Sequence, residues 1–217
     1  MNGDAPRRLL VWRHGETNHN ATGRWQGQFD APLSDRGREQ AAAAAEALAT
    51  YRPSQIVASD LTRAADTARA LVEYAELPLR FDARFREIDV GRWAGLTTPE
   101  IRATQAGTFD RIAAGEDLRR GETGETVAEV AQRVLAGASD LTAVMEPGET
   151  AVIATHGFAA RTLCAGLTGI PQQLALQAFQ GLSNCHWALL VEYAGGWQIA
   201  GWNVRQHADV LAGARSR

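Results

Sequence analysis

The sequence predicts an α/β chain, a three-layer α/β/α sandwich built on a mostly parallel sheet, and three observations carry that prediction. Short apolar runs of strand length alternate with longer stretches whose apolar residues recur at three- and four-residue spacing. Two of the short runs, Leu9-Leu10-Val11-Trp12-Arg13 and Ala151-Val152-Ile153-Ala154-Thr155, each lead into a histidine and a glycine. In a parallel sheet the strand C-terminal ends share one edge, where ligands bind, so these distant histidines are expected to face each other. The length of 217 residues suits a single domain over 1–217 with a substantial core.

Taken in order, the first strand runs from about Arg8 to Trp12, and a polar, glycine-bearing loop follows from His14 to Leu33. Ser34 has N-cap chemistry for a helix to about Thr50, with Ala41, Ala44, Ala45 and Leu48 along one face. Pro53 ends it, and Gln55 to Ala58 reads as a second strand. Ser59-Asp60 then open a helix in which Leu61, Ala64, Ala65, Ala68, Leu71 and Val72 recur at helical spacing. Pro78 breaks that pattern before a third strand, Leu79 to Phe81. From Phe85 to Gly124 glycines recur with weak periodicity, which predicts short helices and loop crossing the strand edge, with a lid-like segment at about 88–124.

Thr126-Val127-Ala128-Glu129 has the form of a capping box. Its helix is expected to bury Val127, Val130, Ala131, Val134, Leu135, Ala138 and Leu141 and to stop before Pro147-Gly148. After the second histidine strand, Ala160 to Leu167 predicts a helix. Trp187 to Tyr193 and Trp197 to Trp202, joined through Gly195-Gly196, predict a closing hairpin that adds an antiparallel strand.

Composition narrows the function classes. A net charge of −3 argues against wholesale nucleic-acid binding. The first residues lack the apolar run of a signal peptide, and no stretch approaches membrane-spanning length, so a cytoplasmic protein with no membrane partner is expected. Cys164 and Cys185 offer neither a disulfide framework nor metal-ligand spacing, and no metal or cofactor is expected. All 22 basic residues are arginine, so any phosphate or carboxylate must be gripped by planar guanidinium forks.

Hydrolysing a phosphomonoester without a metal needs a nucleophile, cationic donors for the non-bridging oxygens, and an acid for the leaving alcohol. His14, on a strand-to-loop turn beside Arg13, fits the nucleophile. Arg63 falls in the first turn of the Ser59 helix, where the N-terminus already favours anions. His156 ends the other strand and supplies a further donor.

Arg13-His14-Gly15-Glu16-Thr17 resembles the signature of the histidine phosphatase superfamily, branch 1, which includes the cofactor-dependent phosphoglycerate mutases. The motifs recur in the family's order from about Leu9 to Gly157, ending in Thr155-His156-Gly157. The resemblance implies the same sandwich fold, a phosphohistidine on His14, and phosphate contacts from Arg13, Arg63, His156 and Asn20. It places Gln26, Gly27 and Gly157 against the substrate. Arg86-Glu87-Ile88-Asp89-Val90-Gly91 resembles the segment carrying the proton donor, making Glu87 the acid and then the base that activates water. Glu16, beside the nucleophile, is expected to be structural or substrate-orienting. Arg119-Arg120 resembles an arginine pair in the mutase lid and is a candidate grip for a substrate carboxylate. Family members often pair, so a homodimer is compatible with the resemblance.

His19, His186 and His207 are expected to be surface or locally bonded histidines, and most tryptophans to be packing residues, with Trp25 and Trp93 nearest the pocket. Phosphatase, mutase and non-catalytic binder compete as functions, all with a small phosphorylated ligand. Mutases carry tyrosine where Val90 stands, threonine at Gln26 and asparagine at Phe158, and their substrate-gripping lysine has no counterpart. Losing those polar contacts favours the phosphatase. Arg24-Trp25-Gln26-Gly27-Gln28 and Asn184-Cys185-His186-Trp187 resemble members that act on sugar phosphoglycerates.

Overall fold

A computed structural model describes residues 5–206. The elements in chain order are β1 (Arg8–Arg13), α1 (Asn18–Ala21), α2 (Asp35–Ala49), β2 (Gln55–Ala58), α3 (Thr62–Ala75) and β3 (Leu79–Phe81). There follow α4 (Thr98–Thr104), α5 (Thr108–Ala113), α6 (Val127–Ala143), β4 (Thr150–Thr155), α7 (Gly157–Leu167), α8 (Gln172–Ala178), β5 (Trp187–Tyr193) and β6 (Gly196–Val204). The strands form one sheet in the order β3-β2-β4-β1-β5-β6. The first four run parallel, while β5 and β6 are antiparallel additions, so the hairpin adds two strands. Its turn sits one residue earlier than the glycine pair suggests. Ala194 (φ 50°) and Gly195 (φ 79°) take the left-handed conformations of a type I′ turn, and Gly196 already begins β6.

Three layers follow from alternation along the central strands. Leu9 and Val11 of β1, with Ala151 and Ile153 of β4, face Val130 and Val134 of α6 and Leu163 of α7. Leu10, Trp12, Val152 and Ala154 face the opposite way, onto Ala41, Ala45 and Leu48 of α2 and Ala68 and Leu71 of α3. Strands covered on both faces read as unbroken apolar runs, as β1 and β4 do. Among the described residues no helix is long and apolar enough to cross a membrane.

Several boundaries depart from the sequence expectation. α3 starts at Thr62, later than Ser59: Ser59 Oγ accepts from the Leu61 N–H at 3.3 Å and meets His156, while Asp30 Oδ1 accepts the Thr62 N–H at 2.8 Å. α7 starts at Gly157, three residues early, because the Glu87 carboxylate accepts from the Phe158 and Ala159 N–H groups. Within the expected loop after β1, Thr17 and Asn20 form a capping box around the single turn of α1. α8 is an element the sequence reading left out. In α6, Gly137 takes a buried place that Ala131 and Leu135 were expected to share, with Phe85 against it. Residues 88–124 hold α4, α5 and a 3-10 turn at Gly91–Trp93, anchored by the buried Trp93 and Ile101.

The loop after β1 is fixed by backbone approach to α2. A Cβ on Gly15 would lie 2.3 Å from the Gly37 carbonyl oxygen, and one on Gly37 would lie 2.0 Å from the Glu16 oxygen. The Gly15 N–H donates to Thr67 Oγ1 of α3 at 3.0 Å, which ties the loop to the second helix on that face. Gly37→Ala gains helix propensity yet is expected to lower stability by about 1–3 kcal/mol, because backbone must move to admit a methyl group. A urea midpoint that stays unchanged in Gly37→Ala would contradict this close approach.

Candidate active site

Pairing of β1 with β4 sets Arg13 opposite Thr155, and the His14 N–H donates to the Thr155 carbonyl at 2.9 Å. The next residue on each chain is therefore a histidine at the same sheet edge, with ring centroids 5.1 Å apart. Both rings are buried. The His14 Nδ1–H donates to its neighbour's carbonyl, Gly15 O, at 2.6 Å. That bond leaves Nε2 unprotonated, and the Arg63 Nε–H points at it from 3.3 Å. Burial, then the guanidiniums of Arg63 and Arg13, hold the His14 imidazole well below its ordinary pKa.

Arg63 is fully buried and is aimed by two further bonds, to Phe29 O at 2.8 Å and Gly27 O at 2.7 Å. Burial lowers its pKa to about 10, which leaves it charged at neutral pH. Arg13 donates to Leu182 O, while its buried Nε has no partner and lies beside the start of α7 at Gly157. His156 Nε2 meets the Ser59 hydroxyl at 2.9 Å, and its buried Nδ1 has no partner. Burial, then Arg63, keeps this ring neutral as well.

Glu87 accepts three backbone N–H groups. Ile88 and Ala159 reach Oε1 at 2.9 and 3.0 Å, and Phe158 reaches Oε2 at 3.1 Å. Its carbonyl is held by Arg133 at 2.9 Å and Gln28 at 3.2 Å. Asn20 Oδ1 accepts from the Thr17 N–H and from Asn184, and Gln26 Oε1 accepts from Thr17 Oγ1 at 3.0 Å. With their oxygens engaged, both amides keep NH2 groups free to donate.

His14, Asn20, Gln26, Gly27, Arg63 and Glu87 line one inner cavity of about 110 Å³. Arg13, His156 and Gly157 stand immediately beside it, through the contacts given above. Trp25 and Phe158 line both this cavity and an outer one of about 440 Å³, which Arg120 also lines. Arg119 is not brought to either. It is exposed and donates to Gly124 O and to Glu129, the acid of the α6 capping box. Two residues alike in chemistry and adjacent in sequence thus part company, one to a surface ion pair and one inward.

Glu16 accepts from Ser34 and faces Arg36, which makes it a brace for α2. His19 packs against Phe29, His186 bonds locally to Asn203, and His207 lies outside the described residues. Trp93 is core, whereas Trp25 faces the cavities. Sequence reasoning missed Ser59, Arg133 and Arg161. Ser59 stood in the sequence only as the opening of a helix, and nothing local marks a residue whose partner lies 97 positions away.

The family model of the histidine phosphatase superfamily (branch 1) matches residues 9–205. A glucosyl-3-phosphoglycerate phosphatase of Mycolicibacterium vanbaalenii is 38% identical over 225 residues, covering 94% of this chain and 99% of that protein. A mycobacterial glucosyl-3-phosphoglycerate phosphatase solved in complex with VO3 superposes with a TM-score of 0.84 at 37% identity, covering 91% of this chain and 99% of that one. A probable phosphoglycerate mutase of Enterobacter sp. (strain 638) is 31% identical over 202 residues, covering 93% of each chain.

Two imidazoles held neutral in the fold take up protons in the unfolded chain near pH 6.5. Below that pH the unfolded state binds more protons than the native one. Stability therefore falls as pH drops from about 6.5 toward 5, by at most about 1.4 kcal/mol per pH unit for each ring. Thermal unfolding across this window is expected to show the decline, and His156→Asn to flatten it. An equal slope in His156→Asn would contradict a neutral, buried His156.

Proposed function

The chain belongs to the histidine phosphatase superfamily, branch 1, and we propose that this phosphatase cleaves phosphomonoesters through a phosphohistidine on His14, with sugar phosphoglycerates as its substrate class. The observation that carries the chemistry is the neutral His14 imidazole, whose Nε2 faces Arg63 in the cavity that Glu87 also lines. A lone pair on Nε2 attacks phosphorus, and the P–O ester bond breaks as the P–N bond forms. Electrons leave with the ester oxygen, which takes a proton from Glu87. That acid form requires a proton on Glu87, and Oε2, which holds a single N–H at 3.1 Å, has the capacity to carry it.

Arg13, Arg63, the His156 ring and the amide groups of Asn20 and Gln26 bind the non-bridging oxygens. Their charges and dipoles are fixed before the reaction, so little reorganisation is needed as charge moves between phosphorus and its oxygens. In the second half, the Glu87 carboxylate takes a proton from water, and the water oxygen displaces Nε2. Phosphate leaves and the imidazole returns to its neutral form.

Hydrolysis is favoured over mutase transfer by the departures from the mutase pattern. Gln26, Val90 and Phe158 all line the inner cavity, so the contacts that would hold a phosphoglycerate for return of the phosphoryl group are altered where they matter. The substrate class is supported by the two glucosyl-3-phosphoglycerate phosphatases that resemble more than 90% of the chain, 94% and 91%, and by an outer cavity of about 440 Å³.

His14→Ala is expected to abolish both turnover and acid-labile 32P labelling of the protein; label that survives in the variant would place the covalent step elsewhere. Glu87→Gln is expected to slow alkyl phosphates by about 10²- to 10⁴-fold and to slow p-nitrophenyl phosphate, with its good leaving group, far less. Uniform slowing would argue against proton donation. Because guanidiniums carry the positive charge, EDTA is expected to leave the rate unchanged, and loss of activity on chelation would contradict this.

A further inference from the structure

The two ring nitrogens of His156 stand in unlike settings. Nε2 meets the Ser59 hydroxyl at 2.9 Å, while Nδ1 is buried and has no partner among the described residues. Which nitrogen carries the hydrogen decides what the ring offers to an anion. A protonated Nδ1 donates to a phosphoryl oxygen; an unprotonated one sets a lone pair against it.

Strand register brings Ser59 to this ring. β2 pairs with β4 through Ala58 and Ala154, and the Ser59 N–H donates to the Ala154 carbonyl at 2.9 Å. Ser59 therefore reaches the sheet edge where His156 follows Thr155. Both residues are fully buried, so their polar atoms depend on partners inside the protein. Ser59 Oγ accepts from the Leu61 N–H at 3.3 Å, which leaves the hydroxyl hydrogen to be placed. Among the described residues, the one other atom in hydrogen-bonding geometry with Oγ is His156 Nε2. A buried O–H without an acceptor is costly, so its hydrogen goes to Nε2. Nε2 is then the acceptor of the pair. Burial, then Arg63, keeps the ring neutral, so its single N–H sits on Nδ1.

We propose that Ser59 is a positioning residue that fixes the Nδ1–H tautomer of His156 and so makes an uncharged ring a hydrogen-bond donor to the phosphoryl group. The proposal rests on the phosphohistidine reading above. It gives the neighbouring histidines, with ring centroids 5.1 Å apart, one tautomer and opposite uses. His14 spends its Nδ1–H on Gly15 O and keeps the Nε2 lone pair for phosphorus. His156 spends its Nε2 lone pair on Ser59 and keeps the N–H for an oxygen. A donor fixed in this way before the substrate arrives needs no reorganisation as charge builds on the phosphoryl oxygens.

Nitrogen-15 NMR of histidine-labelled protein tests this without turnover, with the His156 signals assigned by their loss in His156→Ala. Near neutral pH the ring is expected to carry its hydrogen on Nδ1 and none on Nε2. A hydrogen on Nε2 would overturn the proposal. Saturation with orthovanadate is expected to move the Nδ1–H proton signal to lower field, and bound vanadate that leaves it unmoved would overturn the donor role. In turnover of p-nitrophenyl phosphate, Ser59→Ala is expected to lower kcat by about 10- to 100-fold and to change KM by less than about threefold. Ser59→Thr, which keeps the hydroxyl, is expected to recover part of the loss. Because Ser59 acts through the ring, adding Ser59→Ala to His156→Ala is expected to slow the enzyme by less than about a further threefold. A second loss as large as that of Ser59→Ala alone would mark a merely structural role and overturn the proposal. Should Ser59→Ala fail to fold, the tautomer and the vanadate shift in the native protein still decide. Should the native protein hydrolyse no phosphomonoester, the phosphatase reading fails by itself, and the same two spectra still judge Ser59.

Discussion

The register of one parallel strand pair governs this molecule. With Arg13 opposite Thr155, the two residues that follow are His14 and His156, and a slip of one position would turn one of them away from the other. Burial and the neighbouring guanidiniums hold both rings neutral, and a neutral imidazole keeps one ring nitrogen as an acceptor and the other as a donor. The backbone contact between Gly15 and Gly37 and the bond from the Gly15 N–H to Thr67 hold the turn after β1 at the depth this demands.

Charge is distributed by function across the chain. On the surface, arginine meets acid repeatedly, as in Arg38 with Asp35, Arg86 with Asp60 and Arg111 with Glu116, and such exposed pairs contribute little to stability. Inside, the pattern reverses. Arg13, Arg63, Arg120 and Arg161 are satisfied by main-chain carbonyls or left partly unsatisfied, at a cost to the empty protein. Glu87 and Asp117 offset that cost only in part, since burial remains the larger effect on each of the four.

Where the cause of an element is local, the sequence discloses it. The capping box Thr126–Glu129, the alanine face of α2 and the apolar runs of β1 and β4 stand in the structure where the residues put them. That His14, Arg63 and Glu87 share one cavity was legible because each sits in a motif. What escaped was caused from a distance. α7 begins at Gly157 and Phe158, poor helix formers, because a carboxylate about seventy positions earlier in the chain accepts the N–H groups of Phe158 and Ala159. The start of α3 was displaced from Ser59 for a like reason: Asp30, 32 positions earlier, accepts the Thr62 N–H. α8 is one short helix with only Ala175 buried, too little periodicity to notice. Arg119 and Arg120 cannot be told apart by composition, and their separation depends on Glu129 being within reach of only one.

A crystal structure with orthovanadate examines the central claim most directly, because vanadate takes up the five-coordinate geometry of phosphoryl transfer. The account predicts vanadium bonded to His14 Nε2, its equatorial oxygens on Arg13, Arg63 and His156, and Glu87 against the apical oxygen opposite the histidine. Vanadate seated away from His14, or bound there with Glu87 out of contact, would contradict it.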